Sequence, residues 1–188
     1  FGGRPAIKTQ LVLAATLGAS YGIYGPAFEL CENRPREPGS EEYLNSEKYE
    51  IKAWDFDRPD SLKDIIARVN RIRRENPALH CDWGLHFHAV SNDQLLCYSK
   101  HSEDHTDVIL VVVNLDPHHT QSGWVELSAE AVDVPREGHY QVHDLLSDSR
   151  YLWHGPRNFV ELNPSVVPAH IFRLRRRVRT ERDFEYYL

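Results

Sequence analysis

The stretch Tyr43-Leu44-Asn45-Ser46-Glu47-Lys48-Tyr49-Glu50 brings aromatic rings, an amide, a hydroxyl and an amine into a few neighbouring positions. That mixture suits a sugar, because an aromatic ring lies on the apolar face of a pyranose while amide and amine groups bind hydroxyls. Glycoside chemistry also needs two carboxylates flanking the bond. Glu29, Glu41, Glu42 and Glu47 are available in the same region. Their spacing pairs none of them, and most read as solvated loop acids. His86 and His88 stand at i and i+2, on one face of a strand, the spacing of a metal pair. No third ligand accompanies them, and with 11 histidines in the chain such pairs arise readily, so a surface pair is expected and no metal. His118-His119, behind Asp116-Pro117, read as solvated turn residues. No Ser-His-Asp or Cys-His motif stands out, and Cys97 alternates as a core residue does. No glycine-rich phosphate loop is present, and no cofactor is implied.

The bulk properties narrow the classes. Hydrophobic residues make up 41% of the 188 positions and charged residues 27%, an ordinary globular balance. The longest apolar run, Val108–Val113, is far shorter than the ~20 residues that cross a bilayer, so no membrane partner is expected. Phe1-Gly2-Gly3-Arg4-Pro5 has no signal-peptide pattern. The chain opens on Phe1 and holds no Met, which implies a processed chain or a fragment. Cys31, Cys81 and Cys97, odd in number and irregularly spaced, read as free thiols of a cytoplasmic protein. The net charge of −6 argues against nucleic acid as a partner. The basic run Arg175–Arg179 is followed by Glu181, Asp183 and Glu185, so a solvated or internally paired tail is expected there.

The elements that must position the loop can be read from periodicity. A helix over Arg4–Leu17 follows from Ile7, Leu11, Ala14 and Ala15, with Gly18 as its stop. A short strand Tyr21–Tyr24, with Gly22 allowing close approach, ends at Gly25-Pro26. A long polar loop runs from Glu29 to Asp57, of a length that implies function or disorder. A second helix starts at Asp60 or Ser61, puts Leu62, Ile65, Ile66, Val69 and Ile72 on one face, and stops at Asn76-Pro77. Beyond residue 84 come eight short β-type runs: 85–90, 94–100, 108–115, 123–127, 140–145, 150–153, 158–162 and 169–174. Their spacing predicts an antiparallel β-sandwich, with 108–113 as a central strand buried on both faces. The fold class is therefore α/β plus all-β. The first part has one strand and two helices, and an unpaired strand edge wants further protein beside it.

Several stretches carry a resemblance. Phe1–Ala6, Gly22-Ile23-Tyr24, Pro38–Leu44, Ser46–Glu50, Asn70–Arg74, Leu85–His88 and Val112–His118 resemble the C-terminal region of alpha-1,4-glucan:maltose-1-phosphate maltosyltransferases. The resemblance implies the last part of a (β/α)8 barrel over residues 1–80, followed by an all-β C-terminal domain over 81–188 with a charged tail. It implies alpha-maltose 1-phosphate and an alpha-1,4-glucan as substrates and a homodimer as the assembly. The expected chemistry is retaining maltosyl transfer by an Asp nucleophile and a Glu acid/base. Those carboxylates belong to barrel strands that precede this segment, so no catalytic residue is assigned and Glu29 does not replace them. Lys48 and Tyr49 match the positions that contact the donor's maltosyl group. The segment after the expected strand, Gly25-Pro26-Ala27-Phe28, is less polar than the family's pattern, and Pro26 stiffens that rim. The alternative is a free-standing β-sandwich module that binds glucan or serves assembly. It differs in having no use for the helix–strand–helix of residues 1–75.

Overall fold

The computed structural model describes residues 2–46, 48 and 50–175; Tyr49 and the basic run beyond Arg175 lie outside them. Helix α1 spans Gly3–Leu17, a short α2 spans Gly25–Glu29, and α3 spans Lys63–Glu75. Pro26 sits in the first turn of α2, where its missing N–H costs nothing. Gly18 ends α1 in an extended conformation (φ −92°), and Asn76 ends α3. Pro77–His80 makes a 3-10 turn that leads into the β region.

Eight strands follow: β1 His86–Val90, β2 Leu95–His101, β3 Val108–Asn114, β4 Gln121–Glu126, β5 His139–Asp144, β6 Arg150–His154, β7 Arg157–Leu162 and β8 Ala169–Arg175. A four-residue helix, α4 (Ala129–Val132), lies between β4 and β5. Every β-type run of the sequence is a strand. They form one antiparallel sheet in the order β6-β5-β8-β3-β2-β1-β4-β7, in place of the two facing sheets of the expected sandwich. The reason is β1. Its residues 86–88 pair with β2, whereas Ala89 and Val90 pair with Glu126 and Val125 of β4, so the sheet turns a corner within one strand. The end strands β6 and β7 come back toward each other, and the sheet curls close to a barrel. Its inner face closes on one core, with Leu110, Val125, Tyr140, Val142, Trp153, Val160 and Phe172 in a single cluster.

Strand β3 is buried at all seven positions. Val108, Leu110 and Val112 face the interior of the curled sheet. Ile109, Val111 and Val113 face outward and pack with Val12 of α1, Ile72 of α3, Ala78 and Leu79. Polar groups tie the same contact. Lys100 on β2 is 1% exposed, and its Nζ donates to the Leu17 carbonyl at the C-terminus of α1 (2.9 Å). A cation there meets the negative end of the helix dipole. Burial nevertheless lowers the Lys100 pKa. Asn76 is fully buried: Nδ2 donates to the Ile72 carbonyl (2.6 Å), and Oδ1 accepts from Arg173 Nε and Nη2 of β8 (3.0 and 2.6 Å).

The expected strand Tyr21–Tyr24 is not one. Strand structure requires ladder hydrogen bonds, and among the described residues no segment pairs with it. Tyr21 and Ile23 instead pack on the cluster of Leu11, Ala15 and Val69 between α1 and α3, and the Tyr21 hydroxyl bonds Asn70 Oδ1. Nor, among the described residues, does anything approach Gly22, where an added Cβ meets no atom within 4 Å.

The Asn76 joint generates a prediction. Asn76→Ala removes two charge-assisted bonds and strands the Arg173 guanidinium, so urea unfolding should show a loss of about 2–3 kcal/mol. An unchanged midpoint would mean that the joint does not hold the helices on the sheet.

Candidate functional site

The loop between α2 and α3 is pinned at its two ends. Glu29 does this work: its carbonyl accepts from Leu62 N (2.9 Å) and its Oε1 from Ser61 Oγ (2.8 Å). Arg4 of α1 bonds both the carbonyl and the carboxylate of Asp60, which also takes Arg58 Nη2 at 2.8 Å. Those bonds to Arg58, with the Arg4 charge behind them, hold the Asp60 carboxyl below the usual range. Glu29 is thus a structural clasp.

Within the loop, Arg34–Leu44 doubles back as a two-ended turn. Pro35 and Tyr43 form an isolated antiparallel bridge, flanked by Arg36 N to Glu42 O and Leu44 N to Arg34 O, both 2.8 Å. Gly39 at the tip has φ 82°, a left-handed conformation that suits glycine. The turn places Glu42 between two cations: its carboxylate accepts from Lys48 Nζ at 2.9 Å and from Arg36 Nη1 at 3.2 Å. The Lys48 bond and then the Arg36 bond draw the Glu42 pKa down. Glu50 N reaches back to Ser46 O (3.2 Å).

Beside this turn lies a groove of about 490 Å³, bounded by Glu32, Arg34, Asn45, Lys52, Trp54 and Arg58. It joins a narrower cleft where Tyr24 and Tyr43 stand edge to face, ring centres 5.9 Å apart, opposite Trp54. Lys52 Nζ lies 5.0 Å from the Trp54 ring centre, a cation–π contact. Three aromatic rings, three amines or guanidiniums, an amide and a hydroxyl therefore meet on one concave surface. This is the equipment of a sugar site. Of the carboxylates around the turn, Glu42 and Asp60 are both held below the usual range by their cationic partners.

Of the residues singled out in the sequence, Tyr43, Asn45 and Ser46 line the concavity. Lys48 is not among the lining residues; it is exposed, with its amine on Glu42. Tyr49 lies outside the described residues. Tyr24, Arg34, Lys52 and Trp54 escaped sequence reasoning. Lys52 and Trp54 are two apart in an extended segment and so share a side, the one signal that marks them.

The histidine pair is taken up by packing. The rings of His86 and His88 are 4.9 Å apart, but His88 is buried, its Nδ1 accepts from Ser128 N (3.1 Å) and its Nε2 meets Ser99 Oγ (2.8 Å). Both nitrogens are committed, which fixes the neutral Nε2–H tautomer. Burial, aided by His86, pushes its pKa down to about 4. Among the described residues no group of three or more metal-binding side chains converges, and no helix is long and apolar enough to cross a membrane. Cys97 is a buried thiol, its pKa raised by burial to about 12.

Comparison with known proteins places this geometry. The solved structure of AmyP E221Q in complex with maltotriose superposes with a TM-score of 0.63 over 89% of this chain and 34% of that one, at 17% identity. At that identity the likeness is one of fold. Residues 87–174 match the family described as GLGE, C-terminal. The alpha-1,4-glucan:maltose-1-phosphate maltosyltransferase of Methylacidiphilum infernorum is 50% identical over 167 residues, covering 89% of this chain and 25% of its own length. That of Chlorobaculum tepidum is 49% identical over 179 residues, 92% of this chain and 27% of its own length. The chain is thus similar to a C-terminal portion of alpha-1,4-glucan:maltose-1-phosphate maltosyltransferases and spans about a quarter of the length of these relatives.

His88 supplies a pH prediction. A group whose folded pKa lies below its unfolded value of 6.5 takes up its proton first in the unfolded chain, so stability falls as pH drops from about 6.5 toward about 4. His88→Gln should flatten that part of the profile, and the His88 ring resonances should stay those of neutral imidazole at pH 5.5. Titration of His88 near 6.5 would refute its neutral, doubly bonded state.

Proposed function

We propose that residues 1–80 are the end of a catalytic (β/α)8 barrel and 81–188 its all-β C-terminal domain. The whole enzyme moves maltosyl units from alpha-maltose 1-phosphate to the non-reducing end of alpha-1,4-glucans with retention of configuration. The observation that carries this reading is the match to maltosyltransferases along nine-tenths of the chain at about half identity, with the aromatic and cationic groove inside the matched region. The order α1, Tyr21–Tyr24, α3 supports the barrel assignment, since Tyr21 and Ile23 pack between the two helices. A free-standing β module fits less well, because the outer face of β3 is covered by α1 and α3.

In this reading Lys48 and Tyr49 contact the maltosyl group of the donor, and the carboxylates that break and form bonds come from elsewhere in the enzyme. The chain alone is inactive. The whole protein works in the cytoplasm, where its three free thiols stay reduced, and it assembles as a homodimer. Binding of donor moves the Lys48 amine from Glu42 to a sugar hydroxyl, an exchange between partners both open to water.

The test is phosphate release from maltose 1-phosphate with a maltooligosaccharide acceptor. A charge-assisted hydrogen bond is worth about 1.5–3 kcal/mol, so Lys48→Ala in the full-length protein should lower kcat/KM for the donor by roughly ten- to hundredfold. Wild-type donor kinetics in that variant would remove Lys48 from the site. Activity in the 188-residue chain alone would overturn the placement of the catalytic groups.

A further inference from the structure

We infer that the outward face of strands β4 and β7 carries a second binding site, separate from the loop groove, for the chain of an alpha-1,4-glucan. The identity of the glucan rests on the proposed function; the site itself rests on the following geometry. Trp124 and Phe159 stand directly opposite each other in the β4–β7 ladder. Both point outward, 41% and 51% exposed, while Val125 and Val160 fill the core from the other face. The core therefore gains nothing from the two aromatics. Their rings are 5.5 Å apart and inclined at 66°.

Charged neighbours complete the surface. The Arg157 guanidinium lies 4.6 Å from the Trp124 ring centre, and its Nε is 3.4 Å from Glu126 Oε1. Ser122 and Glu161, paired across the same ladder, stand on the other side of the rings. The patch thus offers apolar ring surface, guanidinium donors, carboxylate acceptors and a hydroxyl, and its Arg–Glu pair is neutral. A neutral, hydroxyl-rich polymer with apolar C–H faces is complementary to that pattern. Glu126 and Glu161 would repel the phosphates of nucleic acid and the headgroups of an anionic membrane. Two rings set at an angle also suit a chain whose successive sugars turn relative to one another, as the alpha-1,4 linkage makes them, better than a flat chain. Site and groove then divide the work: the groove takes the donor, and the β face holds a long acceptor.

Electrophoresis of the full-length protein through gels with and without soluble amylopectin tests this. Wild type should be retarded. The Trp124→Ala/Phe159→Ala variant should bind about tenfold more weakly, the factor that 1.4 kcal/mol represents, and Phe159→Tyr should keep wild-type retardation. A melting curve checks that each variant is folded. With maltose 1-phosphate as donor, the double variant should raise KM for amylopectin and leave KM for maltohexaose unchanged. Three results overturn the proposal: no retardation of wild type, equal retardation of wild type and the folded double variant, or a change of mass by light scattering in the variant, which would make the face a contact with a second copy. Failure of the proposed function reads differently. It appears as wild-type protein that ignores maltose 1-phosphate, whatever happens in the amylopectin gel.

Discussion

A strand with no polar alternation has to be covered on both sides, and in this chain the strand is Val108–Asn114. Its inner residues are met by the curl of the sheet, which brings β5 to β8 around the same core. Its outer residues Ile109, Val111 and Val113 are covered by the helical segment, with Leu145 and Leu146 beside it. Burial of such side chains stabilises by roughly 1.5–3 kcal/mol each, so α1 and α3 are bound to the sheet by more than their own contacts with each other. Polar groups then fix the register. Lys100 reaches the end of α1, and Arg173 reaches the end of α3 through Asn76. Lys100 meets a carbonyl at a helix end, where a positive charge is favoured, while Arg173 meets the Asn76 side-chain amide oxygen.

The consequence for the site is mechanical. With α1 and α3 fixed, the loop between them has fixed ends, and Glu29, Ser61, Leu62, Arg4 and Asp60 draw those ends together. A loop whose ends are joined is free to project without unravelling what holds it. The Pro35–Tyr43 bridge gives the projecting part its own backbone hydrogen bonds. Those bonds set Tyr43 against Tyr24, and they bring Glu42 within reach of Lys48.

Much of this was legible in the sequence, and the rest was hidden for specific reasons. The eight strands follow from alternation bounded by turn residues, and the burial of β3 on both faces follows from its unbroken apolar run. Single sheet or sandwich was not legible. It depends on β1 changing partner between His88 and Ala89, and no local pattern marks a change of partner. Tyr21–Tyr24 has strand composition, but composition cannot supply the neighbour that a ladder needs. His86 and His88 look alike in sequence, and only the fold places Ser128 and Ser99 on the two nitrogens of His88. In the groove, Tyr43, Asn45 and Ser46 were visible as a cluster. Arg34 and Trp54 were not, because they reach it from the two sides of the turn.

The Lys48–Glu42 pair bears on how such a groove can bind a sugar without a large cost. Both side chains are well exposed, 64% and 41%. Pairs of this kind contribute little to stability, because water competes for each partner. Exchanging Glu42 for a sugar hydroxyl therefore asks little of the protein, and Glu42 keeps Arg36 as a second cation when it happens. A buried pair in the same place would demand the desolvation of an unpaired carboxylate, a penalty that can exceed the gain from the ligand. An exposed pair instead lets the amine change partners readily. The groove is in this sense ordered by its backbone, through the bridge and the clasp, and adjustable in its charges.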